Sequence, residues 1–408
     1  MKKLFTIILC LTLSFLAFGC KENQEGDTNY LTSDILLHSV QINNGLEETS
    51  SDGPQLAFDE KYGIMFCIYM PGPRGSYGES RGRIRLAYYP ASQPTNVKTV
   101  DVYIGDKVYG PQILSLGRGR VRVFYEINSW SSNDSEHATY YKDFNYLTEE
   151  FESEGVVQVK KADGTRAKFS TAEQFAYLEE NGFKKDVDFE YLAHEQANFA
   201  CCTLFEDGYY TYGVVTSYNA QPILCRSIDD FSTVEFFAVC PYKVQYEFDY
   251  KILDGKIHAV YRTEPERGSI YYITSDDMGK TWSTPILIEN SVSCRPRLII
   301  HNGKALIAVN NYKQNGDNKP DIQQGRTNIR LYIVTDVNPN NNNLVADLYC
   351  ETGIVNVAII DVLGDVYMVY GTSQTGMDYN NSVGISDKLL RGKDAIRYVR
   401  LGDLTKYL

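Results

Sequence analysis

Six times along this chain a glycine-containing turn is followed at once by an apolar strand. The turns read DEKYG, SLGRG, EDG, LDG, HNG and VLGD, and the strands after them IMFCIYM, VRVFYE, YYTYGVV, IHAVYR, ALIAVNN and VYMVYG. Asp-Gly and Asn-Gly between apolar runs are hairpin signals, because these residues tolerate positive φ. Each segment also carries a buried run before its turn and a third strand after it. Apart from one longer gap the turns recur at about fifty residues, the period of a four-stranded propeller blade. Tyrosine, a strand-favouring residue, occurs 32 times among the 408 residues. The pattern predicts an all-β chain: a six-bladed β-propeller over residues 51–408 with one short helical insertion. Residues 20–50 form a tether, within which DILLHSVQI is available as a strand that helps close the ring.

The N-terminus is set apart by its own composition. Lys2 and Lys3 precede an apolar run, Leu4 to Phe18, which ends in Ala17-Phe18-Gly19-Cys20. A basic start, an apolar stretch of this length and a small residue at its end read as a secretory signal peptide, residues 1–19, too short for a membrane span. The residues ahead of Cys20 resemble the lipobox of bacterial lipoproteins. That resemblance implies lipidation of Cys20 and anchoring in the bacterial cell envelope, at the periplasmic or surface face of the outer membrane. An ordinary signal peptide cleaved nearby is the alternative, and it also exports the chain. The formal charge is −12, or −14 without Lys2 and Lys3, which argues against nucleic acid or anionic lipid as partner. Contact with a membrane is expected through the lipid anchor only, and the protein is expected to be a monomer. Seven cysteines remain beyond Cys10 and Cys20, an odd number without CxxC spacing. They read as buried thiols, with a Cys225–Cys240 disulfide as the alternative. The five histidines are scattered, so neither a metal nor a cofactor is expected.

The stretch SDDMGKTW, Ser275 to Trp282, falls between the third and fourth strands of the fourth segment. Asp277 can accept from turn amides, Gly279 allows positive φ, and Trp282 can pack between blades. The stretch resembles the Asp-box of sialidases and related propellers at every defined position: Ser275, Asp277, Gly279, Thr281 and Trp282. A degenerate copy, Ser227-Ile-Asp229-Asp-Phe-Ser-Thr233, stands one segment earlier. The resemblance implies a structural turn on the face away from the active site. Long insertions around 71–83, 128–138, 160–196 and 313–327 all fall at positions that open on the other face, where function is expected. One of them holds Ser170-Thr-Ala-Glu173, a capping box, and ends at Asn181-Gly182. It predicts a helix over Thr171 to Glu180 with Phe175 and Leu178 inward, which either roofs a pocket or only packs.

The fourth segment resembles sialidases over its whole length. Glu247 matches their active-site Glu at the start of the innermost strand. Arg262 matches one arginine of their carboxylate-binding triad, and Arg326 in GRTNIRLYIVTD matches another. Guanidiniums converging on one rim suit bidentate carboxylate binding. The resemblance breaks where Asp52-Gly53-Pro54 replaces the motif that supplies the remaining triad arginine. It breaks again where Val355 and Gly371 occupy the positions of the family's Glu and Tyr nucleophile pair. Glu79 is the one carboxylate in the loop that holds the family's acid/base Asp. Asp52 and Glu247 start the innermost strands of blades one and four, which face each other across a six-fold ring. Two carboxylates flanking a pocket are what glycoside hydrolysis needs. Asp52, Glu247 and Glu79 are therefore the catalytic candidates. Arg262, Arg326, Gln55, Glu195, Arg295 and Trp130 are the substrate-binding candidates, the tryptophan as a stacking surface for a pyranose. The expected function is that of a secreted glycoside hydrolase related to sialidases, acting on a terminal sugar of a glycan, an acidic one where the arginines bind its carboxylate. A non-catalytic glycan-binding surface lipoprotein and a partner-binding propeller are the alternatives.

Overall fold

The computed structural model describes residues 30–43, 51–71, 83–105, 108–127, 138–183, 203–216, 218–245, 247–263, 268–290, 295–312, 326–335, 343–350, 355–372 and 395–408. Six of their seven sheets are the blades of a propeller, each built on antiparallel strands, and the seventh pairs Tyr218–Ala220 with Val244–Gln245. Blade 1 runs outward from the axis as Ser51–Asp59, Ile64–Pro71, Arg83–Pro90 and Lys98–Ile104. Blade 2 is Val108–Gly117, Arg120–Ile127, Ala138–Asn145 and Glu150–Val156. Blade 3 has Phe205–Asp207, Tyr210–Val215, Ile223–Ser227 and Thr233–Val239, and blade 4 has Phe248–Leu253, Lys256–Arg262, Ile270–Ser275 and Ile286–Glu289. Blade 5 consists of Arg297–His301, Lys304–Tyr312, Arg326–Ile333 and Asn343–Tyr349. Blade 6 takes Val355–Val362, Asp365–Thr372 and Ala395–Gly402 from the end of the chain and Val40–Gln41 from near its start.

Val40 lies opposite Tyr398 and Gln41 opposite Arg397, so the last blade closes with a strand from the other end of the sequence. Only these two residues of DILLHSVQI are strand. Ser33–His38 forms a 3-10 helix instead. The reason is positional: Leu31 bridges Ala346 on the outer edge of blade 5, while Val40 pairs in blade 6. The residues between must cross from one blade to the next.

The first turns carry the conformations their sequences demand. Asp254 and Gly255 have φ of 52° and 76°, and Asn302 and Gly303 have 47° and 72°, which suits the twist of a tight hairpin. The strand directions send the first turn of every blade, and the third turn of blades 1 to 5, to one face. Second-to-third connections and blade-to-blade connections go to the other. They are called here the turn face and the loop face.

Between blades the sheets meet through apolar layers. Phe66, Tyr88 and Phe144 pack between blades 1 and 2, and Leu306, Leu331 and Met368 between blades 5 and 6. Met65, Tyr69, Tyr89 and Tyr398 fill the seam where blade 6 meets blade 1. Each fully buried ring or branched aliphatic contributes about 1.5–3 kcal/mol. Tyrosine earns its frequency here: Tyr69, Tyr89, Tyr250 and Tyr370 are among the largest fully buried side chains. Near the axis the inner strands are cross-linked by polar groups. The buried Asp249 carboxylate accepts from the Thr203 and Leu298 backbone N–H groups at 3.1 and 3.0 Å and from Lys251 Nζ at 3.2 Å. It thereby joins blades 3, 4 and 5.

The helix α1 spans Thr171–Glu180, with the Ser170 hydroxyl accepting from the Glu173 N–H at 3.4 Å. Glu173 itself forms an ion pair with Lys161 at 3.0 Å. The helix sits at the outer edge of blade 3. There Gln158–Lys160 adds in parallel to Thr233–Val239, Arg166–Lys168 adds beyond it, and Tyr177 meets Phe236 edge-on at 5.2 Å. Leu178 is buried and Phe175 half-buried against the same core. The helix packs; it does not roof the axis. Cys225 and Cys240 are buried thiols that are not joined in a disulfide, and burial pushes the Cys240 thiol up to about 12.

Candidate functional site on the loop face

The loop-face end of blade 4 carries the clearest pairing of charged groups. Glu247 precedes the innermost strand by one residue, and its carbonyl accepts from the Arg262 N–H at 3.0 Å. This backbone register sets their side chains next to each other. Arg262 Nε stands 2.5 Å from Glu247 Oε2, with both groups largely buried. The structure therefore brings together two of the residues singled out from sequence, and gives the arginine a carboxylate neighbour of its own.

Counting six residues on from the first residue of each second strand gives Met70, Glu126, Thr216, Arg262, Asn310 and Gly371, one per blade at the same height. Glu126 is the charged member that sequence reasoning missed. It is 1 % exposed, lies opposite Tyr109 and Thr139, and a Cβ on Gly110 would meet its carboxyl group at 3.0–3.2 Å. The signal was present in the sequence: the six segments aligned on their turns put a glutamate in the column that holds Arg262. It was masked because VRVFYE reads as a strand that simply ends on a polar residue.

Blades 1 and 2 enter their inner strands alike, as Asp52-Gly53-Pro54-Gln55 and Tyr109-Gly110-Pro111-Gln112. Both glycines have φ of 62°, and the register slips between the residues on either side of Gly-Pro. The bulge needs the left-handed conformation that glycine adopts freely. It places Asp52 opposite Met70 at the loop-face end; the Asp52 side chain is outside the described part. Gln55 and Arg295 are both buried. Two residues beyond Arg295, Arg297 donates from Nε to the Val357 carbonyl at 3.1 Å and so ties blade 5 to blade 6. Arg326 lies opposite Tyr312 in blade 5, with its side chain outside the described part. Glu79, Trp130, Glu195 and Cys20 fall outside the described residues. Val355 lies opposite Gly371 in blade 6, and neither residue type carries a nucleophilic group. Among the described residues no cluster of three or more His, Cys, Asp or Glu could hold a metal ion.

Ser275–Trp282 is at the opposite end of blade 4. The Ser275 hydroxyl accepts from the Gly279 N–H at 2.8 Å and donates to Asp277 at 2.9 Å. Asp277 also accepts from the Thr281 N–H and hydroxyl at 2.8 and 2.7 Å. The Thr281 hydroxyl and N–H, with help from Ser275, hold the Asp277 carboxyl down at about 2. Trp282 Nε1 donates to the Gly279 carbonyl at 3.1 Å. Every polar group of this turn named here is used within the turn, and it is separated from Glu247 and Arg262 by the length of the sheet. It builds the blade and does no chemistry at the loop face.

The architecture is that of the sialidases, and comparison with solved structures shows the same. Trypanosoma rangeli sialidase in complex with sialic acid superposes with a TM-score of 0.53 at 13 % identity, over 89 % of this chain and 59 % of that one. A Trypanosoma rangeli sialidase mutant displaying trans-sialidase activity gives 0.51 at 12 %, over 86 % and 54 %. A single-residue mutant of NanB sialidase from Streptococcus pneumoniae gives 0.52 at 11 %, over 90 % and 70 %. This chain thus spans little more than half the length of the trypanosomal proteins. No family model matches it, and no curated protein does. The protein has a sialidase-like six-bladed propeller fold.

Proposed function

We propose that this protein is an exported, lipid-anchored, carbohydrate-active propeller: a glycoside hydrolase related to sialidases that works through carboxylates. The observation that carries the reading is the Glu247–Arg262 pair at the loop-face end of blade 4, on a fold whose solved relatives include a sialidase with bound sialic acid. Asp52, at the matching end of blade 1, supplies the second carboxylate. One carboxyl group protonates the glycosidic oxygen as the bond to the leaving group breaks. The other either attacks the anomeric carbon or takes a proton from the attacking water. Separations of about 5 Å favour the first course and about 6.5–9.5 Å the second. Arg262 is charge-paired with Glu247, so a substrate carboxylate would have to compete for it. A terminal sugar bearing a carboxylate is accordingly bound through Arg326 and Arg295 as well.

The Val355–Gly371 pair favours a second reading. A sialidase frame without its nucleophile pair suits a glycan-binding protein that performs no hydrolysis. Sugar release from sialylated, uronic-acid and neutral glycans decides between the two. Release that disappears in Asp52→Asn and in Glu247→Gln establishes the hydrolase and its carboxylates. Binding without release, by wild type and variants alike, rejects catalysis and leaves the lectin.

A further inference from the structure

The turn face exposes a set of large apolar side chains. Tyr209, at the tip of the first turn of blade 3, is 94 % exposed; Ile228 beside it in the third turn is 77 % exposed, and Leu363 in the first turn of blade 6 is 81 % exposed. Leu147 of blade 2 and Tyr62 of blade 1 extend the set. Blades 6, 1, 2 and 3 are consecutive around the ring, so these tips form one arc. Blades 4 and 5 instead present Asp254-Gly255 and Asn302-Gly303 in their first turns. Leu363 holds φ of 55°, a conformation that suits Gly or Asn, and it is also left in solvent. Water gives no reason for either choice.

The chain itself indicates what covers this arc. Leu31 bridges Ala346 in parallel, and that strand of blade 5 runs from the turn face toward the loop face. The described chain therefore begins, at Tyr30, on the turn-face side of Leu31. Cys20 stands ten residues ahead of Tyr30, a tether of up to about 35 Å when extended.

We infer that the turn face of blades 6, 1, 2 and 3 rests on the bilayer that holds the anchor, with Tyr209, Ile228 and Leu363 set among the lipid headgroups. The loop face, with Glu247 and Arg262, then looks away from the membrane toward its glycan. The inference rests on the proposed lipidation of Cys20. Tips too few to hold a free protein suffice for a tethered one, because the anchor keeps their effective concentration at the surface high. The net charge of −12 points to zwitterionic headgroups.

The test uses the full anchored protein in phosphatidylcholine vesicles whose acyl chains carry bromine, a tryptophan quencher. Tyr209→Trp and Leu363→Trp are compared with Ile104→Trp, at the loop-face end of blade 1, each against the wild-type background from Trp130 and Trp282. The added fluorescence at the first two sites is expected to be quenched and that at the third spared. Equal quenching at all three sites, or none at the first two, overturns the docking. The mass of the N-terminal peptide from the same vesicles reads the anchor separately. Cys20 without a diacylglyceryl group removes the anchor and the docking with it, whereas an anchored chain with unquenched tips overturns the docking alone.

Discussion

At position 231 and position 279 two turns of like outline meet one backbone requirement with opposite side chains. Asp230 and Phe231 have φ of 56° and 64°, and Met278 and Gly279 have 57° and 87°. Ser227 accepts from the Phe231 N–H at 2.9 Å much as Ser275 accepts from that of Gly279. The difference lies in what stands opposite. A Cβ at Gly279 would sit 2.6 Å from Ala238 Cβ. The Phe231 ring instead enters the core, fully buried, and meets Phe124 edge-on at 6.2 Å. Gly279→Ala is expected to cost about 2–4 kcal/mol, overpacking and left-handed strain together. Phe231→Gly relieves about 1–2 kcal/mol of strain but loses a ring worth about 3–5, so a net loss near 2–3 kcal/mol is expected. Phe231→Ala loses more, because the strain stays. Urea melts order the three, and a neutral Phe231→Gly would mean that burial is not what holds phenylalanine there.

At the scale of elements, one side chain joins blade 2 to the third turn of blade 3. Arg122 pairs with Asp143 through Nε at 2.6 Å and Nη2 at 2.8 Å, and Ser153 donates to the same carboxylate at 2.6 Å. From Nη1 it donates to the Asp230 carbonyl at 2.9 Å and the Ser232 hydroxyl at 2.6 Å, while its guanidinium carbon lies 4.2 Å from the Tyr141 ring centroid. Arg122→Met strands a nearly buried carboxylate and is expected to cost about 3–5 kcal/mol. Arg122→Met with Asp143→Leu is expected to recover much of that. Equal losses in the single and double variants would locate the stabilisation in the hydrogen bonds to blade 3 instead. Such contacts show where the sequence was silent. Blade number, hairpin turns and the bounds of α1 are written in residues a few positions apart, and periodicity exposes them. Arg122 and Ser232 are joined only by the fold, as are Asp249 and Leu298. DILLH looked like strand because a short apolar run does not distinguish strand from helix. At the site, Glu247 and Arg262 were legible because cross-strand neighbours share a hairpin. Glu126 shares the column of Arg262 in the aligned turns, but its place beside Gly110 depends on a bulge that begins with an unremarkable Gly-Pro.

Across the whole molecule the ring must close, and both closing devices lie near blade 6. His301 of blade 5 is buried between Asp361, 2.6 Å from Nδ1, and Asp403, 3.1 Å from Nε2. Burial works to lower its pKa, but the two carboxylates outweigh it and the pKa is raised above the ordinary 6.5. A raised folded value means stability that is fully present below about pH 6.5 and is lost as pH rises through the folded value. The gap in Tm between wild type and His301→Gln is therefore expected to narrow from about pH 6.5 upward, and a gap that widens instead rejects the imidazolium. The second device is the strand Val40–Gln41. Ile42 is buried and donates to the Ile396 carbonyl at 2.9 Å, and the Asn43 side chain accepts from the Ile396 N–H at 3.1 Å. Arg397 donates to the Ser39 hydroxyl and carbonyl at 2.7 and 2.9 Å. A chain that begins at Ser51 leaves the outer edge of Ala395–Gly402 unpaired, and exposed strand edges invite association. Compared with a chain that begins at Asn29, it is expected to melt several degrees lower and to aggregate on heating. If both melt alike and stay monomeric, blade 6 is closed by its own three strands and the N-terminal segment is only a tether. If the shorter chain fails, the segment ahead of blade 1 is also the one that locks the propeller.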